Sequence, residues 1–301
     1  MSDYKLINRA IDMFREATPP LGSPIEEYRA KFDNLCMSFE VPADTSVEEL
    51  NANGVPAFKV TAAGVAAKNI LIHFHSGGYV MGSAKGYLEF ASRLSAIADA
   101  PVVVPDYRLA PENPYPAPLE DGLAVYHWLL DQYAPGNILI SGDSAGGGLT
   151  LALLMSARDQ GIPLPAAAVV ISPLTDLAAE GASYQENKDT DPLIDRDLAV
   201  GMGVVYIGDR DPKQTPLASP LYGDHKGLPP LFFLVSASEV LRDDSIRVVD
   251  SILASGGEAE LVQFEGMVHI WTIFPFLPET TEAMTKVKDF VAKHLPAQGA
   301  H

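Results

Sequence analysis

One apolar run, Ile138-Leu139-Ile140, ends in Ser141-Gly142-Asp143-Ser144-Ala145-Gly146-Gly147-Gly148-Leu149, and this stretch limits the fold more than any other in the chain. It reads as a strand that turns sharply into a helix, with one serine at the apex. In the pattern G-x-S-x-G the serine takes a strained backbone conformation, and a Cβ on either flanking residue would clash at the tight turn. The turn lifts Ser144 Oγ clear of the sheet. The helix that follows aims its first N–H groups, which carry partial positive charge, at the place where negative charge develops during acyl transfer. A glycine-rich strand-to-helix turn can also be a plain connection or a phosphate loop, so the rest of the chain has to decide.

Around this turn the pattern alternates. Strands are expected at 57–62, 69–75, 101–105, 138–141, 166–171, 231–236 and 260–264, with helices at about 86–98, 119–133, 144–160, 243–254 and 279–294. Apolar strands that alternate with helices and are punctuated by Gly and Pro imply a mostly parallel sheet covered on both faces, an α/β fold. Two segments break the rhythm. Residues 1–47 hold two helices and no strand, the second opening with Ser23 as N-cap and Pro24 at the first helical position. Residues 175–227, rich in Asp, Pro and Gly, hold one helix near 195–206. Together they are expected to form a cap over the carboxyl edge of a single catalytic core made of about 48–174 and 228–301, unless they are surface decoration.

The chain's 301 residues suit one large domain with an insertion. No apolar run approaches the roughly 20 residues needed to cross a bilayer. The first helix is amphipathic, with Asp3, Lys5, Arg9, Asp12, Arg15 and Glu16 among its apolar positions, unlike a secretory signal. The single cysteine, Cys36, allows no internal disulfide and suits a reducing compartment, so a cytoplasmic location is expected. A net charge of −18 disfavours nucleic acid and polyanionic substrates and fits a small neutral ester or amide, although acidity also serves solubility.

Serine nucleophiles need a base, a carboxylate to orient it and donors for the oxyanion. For the donors, the apolar run 70–74 ends in His75-Ser76-Gly77-Gly78-Tyr79, where two glycines allow close backbone approach. The Gly77 and Gly78 N–H groups, with Ala145 N–H from the elbow, form the expected oxyanion hole. Among seven histidines, only His269 sits in a loop after a strand and downstream of a candidate acid. His127 falls in a helix, His225 in the connection after the insertion, His294 in the last helical turn and His301 at the terminus. His73 and His75 precede the glycine pair and are read as supports for that loop. The acid is expected at Glu239, where the chain leaves the strand 231–236. Asp243 is the reserve, because Asp243 and Asp244 lie where a helix should begin and have capping as their simplest role. Asp143 and Tyr79 flank the serine and the glycine pair, and are candidate substrate-binding residues. Asp143 could equally hold the backbone of neighbouring loops.

Taken together, His75-Ser76-Gly77-Gly78, Gly142-Asp143-Ser144-Ala145-Gly146-Gly147, Asp106-Tyr107-Arg108-Leu109-Ala110-Pro111-Glu112, Pro116, Asp121 and Ser219-Pro220-Leu221 resemble the hormone-sensitive-lipase-like family of α/β-hydrolases, a branch of microbial carboxylesterases. The resemblance runs from about Ile70 to Trp271. It implies an eight-stranded, mostly parallel sheet, a helical cap, and hydrolysis of short- to medium-chain carboxylic esters without metal or cofactor. Two departures stand out. Ser76 replaces the first glycine of the H-G-G-G motif, and Glu239-Val240-Leu241-Arg242-Asp243 replaces D-P-L-x-D, which puts Glu239 at the acid position. A glutamate there is also found in relatives that open lactones, so a lactone, carbamate or amide hydrolase is the alternative activity. A small-molecule receptor on the same scaffold would be expected to lack a catalytic residue. A homodimer is compatible with such a fold.

Overall fold

The computed structural model describes residues 4–20, 22–66 and 68–295; His301 lies outside them. The strands are β1 (Ser46–Ala52), β2 (Val55–Thr61), β3 (Ile70–Phe74), β4 (Val102–Pro105), β5 (Ile138–Asp143), β6 (Ala167–Ile171), β7 (Leu231–Ser236) and β8 (Ala259–Phe264). The helices are α1 (Tyr4–Ala17), α2 (Ile25–Cys36), α3 (Leu88–Ala98), α4 (Ala117–Leu130), α5 (Ala145–Asp159), α6 (Ser183–Glu186), α7 (Arg196–Ile207), α8 (Arg242–Ala254) and α9 (Pro278–His294).

The strands form one sheet in the order β1-β2-β4-β3-β5-β6-β7-β8. Pairing is antiparallel at β1–β2 and β2–β4 and parallel across the other five pairs. Continuous apolar runs in the central strands are explained by burial on both faces. Ile70, Ile72 and Phe74 of β3 and Ile138 and Ile140 of β5 enter one core with Leu149, Leu153 and Leu129. Leu71 and Leu139 enter the opposite core with Phe90, Leu94, Val287 and Phe290. Helices α4, α5 and α8 therefore cover one face, and α3 and α9 the other.

The one strand absent from the sequence expectation is β1. Its sequence SVEELNA is exposed along most of its length, so it lacks the apolar pattern that marks a buried strand. The start of α2 also differs: Pro24 is the N-cap, with no side-chain cap, and its C=O accepts Glu27 N–H at 3.0 Å. No side chain caps α8 either. Asp244, expected as a helix-capping group, instead accepts the N–H groups of Thr175 and Asp176 at 2.7 and 2.8 Å, fastening the start of the insertion.

Chain direction across the sheet reverses at β3, which has β4 on one side and β5 on the other. Loops leaving two such strands diverge and open a crevice at the carboxyl edge of the sheet. Here those loops carry Gly77 and Gly78 after β3 and Ser144 after β5, from strands held in register by His73 opposite Ser141 and Phe74 opposite Gly142.

Both irregular segments lie against this edge. From α2, Arg29 donates to the carbonyls of Val80 and Ala110 at 2.8 and 2.9 Å and pairs with Glu112 at 2.7 Å, while Asp33 accepts the Ser83 hydroxyl at 2.9 Å. From α7, Tyr206 stacks on Tyr79 at 3.8 Å between ring centres.

Candidate active site

Ser144 sits between β5 and α5 with φ +53°, a left-handed conformation rare for a residue with a Cβ. It is held there on both sides: its N–H donates to Ile171 C=O at 2.9 Å, and its C=O accepts the N–H groups of Leu174 and Gly148 at 2.9 and 3.1 Å. The turn needs glycine because α5 begins directly beneath β3. A Cβ on Gly146 would overlap the Phe74 carbonyl, and one on Gly142 the Gly146 carbonyl, both unyielding backbone.

The loops after β7 and β8 bring the other two groups to Ser144. His269 Nε2 lies 2.9 Å from Ser144 Oγ, and His269 Nδ1 lies 2.5 Å from Glu239 Oε2. The second carboxylate oxygen, Oε1, accepts the Ser172 hydroxyl at 2.7 Å and Ser236 N–H at 2.8 Å. All three side chains are nearly buried, Ser144 at 6%, Glu239 at 1% and His269 at 5% exposure. Burial would push the His269 pKa down, but the charge and hydrogen bond of Glu239, with the charges of Asp191 and Asp143, outweigh it and leave the imidazole above its ordinary value. Ser144, Glu239 and His269 thus form one hydrogen-bonded line. Asp243, the reserve acid, is engaged elsewhere, pairing with Arg242 and accepting Ser183 N–H at 3.0 Å.

Opposite this line the loop after β3 turns through Gly77 at φ +123° and Gly78 at φ +61°. Met202 of α7 presses on it so closely that a Cβ on Gly78 would overlap the Met202 sulfur. Among the described residues, no acceptor takes the N–H groups of Gly77, Gly78 or Ala145. The segment 106–112 braces the same loop: Asp106 accepts Ala84 N–H at 3.0 Å, Tyr107 donates its hydroxyl to His75 C=O at 2.8 Å, and Arg108 pairs with Asp121 at 2.8 Å.

Asp143 is completely buried. It accepts the Tyr87 hydroxyl at 2.6 Å and lies 3.2 Å from His73 Nε2, so its contacts fit support of neighbouring loops and not substrate contact. Tyr79, at 1% exposure and φ +65°, joins the glycine loop to α7 through its stack on Tyr206. The remaining histidines lie apart from the serine: His225 bonds Ser251 and Pro220, His294 faces Glu258 and His127 is exposed. Sequence reasoning missed Ser172 and Ser236, the two donors to Glu239 Oε1, and Asn187, whose amide holds the carbonyls of Ala237 and Glu239 at 2.9 and 2.7 Å. Neither serine carries a sequence pattern that points to position 239. Among the described residues, no group of three or more His, Cys, Asp or Glu could hold a metal ion, and no helix is long and apolar enough to cross a membrane.

Comparison with known proteins agrees with this geometry. A family profile described as the alpha/beta hydrolase fold matches residues 71–273. An acetyl-hydrolase of Streptomyces hygroscopicus is 42% identical over 216 residues, 71% of this chain and 72% of that protein. Carboxylesterase NlhH of Mycobacterium tuberculosis is 33% identical over 225 residues, 71% of this chain and 70% of its own. The crystal structure of an esterase from the bacterial hormone-sensitive lipase family superposes with a TM-score of 0.95 at 38% identity, covering 98% of this chain and 100% of that one. With the elbow, the glycine loop and the parallel sheet in place, the chain belongs to the hormone-sensitive-lipase-like family of α/β-hydrolases.

Proposed function

We propose that the protein is a carboxylesterase that cleaves small neutral esters with short to medium acyl chains through an acyl-enzyme on Ser144. The observation that carries this reading is the continuous line from Ser144 Oγ to His269 Nε2 at 2.9 Å and from His269 Nδ1 to Glu239 Oε2 at 2.5 Å. His269 takes the Ser144 proton as Oγ attacks the ester carbonyl carbon, and the carbonyl oxygen becomes an oxyanion facing the N–H groups of Gly77, Gly78 and Ala145. Collapse of this intermediate breaks the bond to the leaving alkoxide, which takes the proton from His269 and departs as alcohol. Water then gives a proton to His269 and its oxygen to the acyl carbon; breakdown returns that proton to Ser144 Oγ and releases the acid. Glu239 accepts the hydrogen bond from His269 Nδ1 and keeps the imidazole proton there, so that Nε2 is free to act as base.

The short-chain preference follows from the crowding of the site. α2 and α7 both bear on the loop 77–83, Met202 lies directly over Gly78, and Ser144 is 6% exposed. In this reading the segment up to about residue 47 and residues 175–227 form the cap, and the sheet with its helices the core. The reading also places the protein in the cytoplasm and gives it no nucleic-acid partner, on the strength of its one buried thiol and net charge of −18.

Initial rates on p-nitrophenyl esters from acetate to palmitate, with Ser144→Ala alongside, test the proposal. Activity that peaks at short chains and disappears in the variant is expected. A variant as active as the parent would overturn the serine mechanism. A Ser144-dependent rate on lactones alone would move the activity to ring opening by the same residues.

A further inference from the structure

Ser76 occupies the position where the family motif has glycine, and its side chain is fully engaged. Its hydroxyl lies 2.5 Å from the Tyr87 hydroxyl, and its N–H lies 3.3 Å from the same oxygen. Tyr87 in turn contacts Asp143 Oδ2 at 2.6 Å. The direction of each bond follows from the groups available. Burial and the nearby Asp143 charge hold the Tyr87 pKa well up, so the phenol keeps its proton and donates it in a hydrogen bond to the carboxylate. The Tyr87 oxygen then accepts from both the Ser76 hydroxyl and the Ser76 N–H. Ser76 directly precedes Gly77, and Asp143 directly precedes Ser144. One phenol therefore connects the residue before the first oxyanion donor to the residue before the nucleophile, and Ser76, Tyr87 and Asp143 are all at most 1% exposed.

A second contact fixes the direction of the donor itself. His75 Nδ1 lies 2.8 Å from the Ser76 carbonyl, which can only accept, so Nδ1 carries the proton. Burial lowers the His75 pKa and keeps the ring neutral, and the ring stacks on Tyr107 at 4.2 Å. In a trans peptide the C=O and the following N–H point in opposite directions. Holding the Ser76 carbonyl on one side therefore sets where Gly77 N–H points on the other, and the Ser76–Tyr87 contact prevents that peptide from rotating. A glycine at position 76 could keep the two backbone contacts but not the hydroxyl contact to Tyr87.

We propose that Ser76 and Tyr87 are positioning residues that lock the oxyanion loop to the nucleophile elbow through Asp143, with Ser76 substituting a side-chain tether for the conformational freedom of glycine. The inference rests on the oxyanion reading of Gly77 and Gly78. Loss of the tether leaves the donors present but less well aimed, so the effect falls on the transition state and not on ground-state binding.

The test uses Ser76→Ala, Tyr87→Phe and the double variant, with kcat and KM on a short p-nitrophenyl ester and inhibition by an alkyl trifluoromethyl ketone. In that adduct Ser144 Oγ bonds to the ketone carbon, its proton goes to His269 and the carbonyl oxygen becomes an anion in the hole. Ser76→Ala is expected to lower kcat roughly tenfold, less than the ~10²–10³-fold loss typical of removing a donor outright. KM should stay within about twofold, and ketone affinity should fall by the same factor as kcat/KM. The double variant should match Tyr87→Phe, because both changes break one link. A kcat for Ser76→Ala within about twofold of the parent, or single losses that multiply in the double variant, would overturn the proposal. A parent enzyme that the ketone does not inhibit would overturn the oxyanion reading, and this inference with it.

Discussion

Glu239→Gln should inactivate the enzyme through the proton position on His269. The carboxylate oxygen Oε1 accepts two hydrogen bonds, from the Ser172 hydroxyl at 2.7 Å and from Ser236 N–H at 2.8 Å. The Ser236 N–H cannot reverse its role, so the glutamine oxygen must take the Oε1 position and its NH₂ must replace Oε2, facing His269 Nδ1. An amide NH₂ only donates. His269 Nδ1 must then be the acceptor, which puts the imidazole proton on Nε2, against Ser144 Oγ. A ring in that tautomer cannot take the serine proton. In serine proteases the corresponding loss of the carboxylate lowers kcat by about 10⁴, equivalent to roughly 5.4 kcal/mol of barrier. Steady-state kinetics on a short p-nitrophenyl ester measures this directly, with a melting curve to confirm folding. The same measurement on Asp243→Asn should stay within a few-fold of the parent, because Asp243 is engaged with Arg242 and Ser183. A folded Glu239→Gln enzyme retaining more than about a tenth of the parent kcat would refute the tautomer argument.

The pH dependence of kcat/KM should show an acidic limb with its midpoint above the usual 6.5 of histidine, since Glu239 raises the His269 pKa and protonation removes the base; a midpoint below 6.5 would contradict this account. The Asp244 carboxyl, pushed up to about 8 by burial and by Asp176, stays protonated in the fold while it ionises in the unfolded chain near 4, so its stabilising contribution is present at low pH and lost as pH rises from about 4 to 8. Asp244→Asn should flatten the decline in melting temperature between about pH 4 and 8, and an equally steep decline would show that Asp244 is not its source. Gly146→Ala should cost more than about 4 kcal/mol, because the added Cβ meets the Phe74 backbone, whereas Gly136→Ala, in open space, should stay within about 0.5 kcal/mol in urea unfolding. Equal costs at the two positions would refute the close-approach argument.

The features legible in the sequence were those with local causes. Apolar runs marked the buried strands, and the glycine patterns marked the turns at Ser144 and at Gly77-Gly78. The order of serine, acid and histidine placed each at the end of a strand. What stayed hidden depended on distant partners or on an absent pattern. β1 is a solvated edge strand and has no apolar face to betray it. Asp143, adjacent to the nucleophile, has two open readings in sequence because its partners, His73 of β3 and Tyr87 at the start of α3, are distant in the chain. The donors that fix the orientation of Glu239 come from Ser172 after β6 and from Ser236 of β7, and neither carries a pattern that points to position 239. Asp244 shows the same limit: its place at a helix start suggests a cap, while its carboxyl oxygen Oδ2 serves the backbone of residues 175 and 176.

The measurement that bears most directly on the central claim is mass-spectrometric mapping after reaction with a fluorophosphonate, in which the serine oxygen displaces fluoride and leaves a stable phosphonyl ester. The account predicts one adduct per chain, on the peptide containing Ser144, formed rapidly in the parent and only slowly in His269→Ala. No adduct, or an adduct on another residue with Ser144 unmodified, would contradict it.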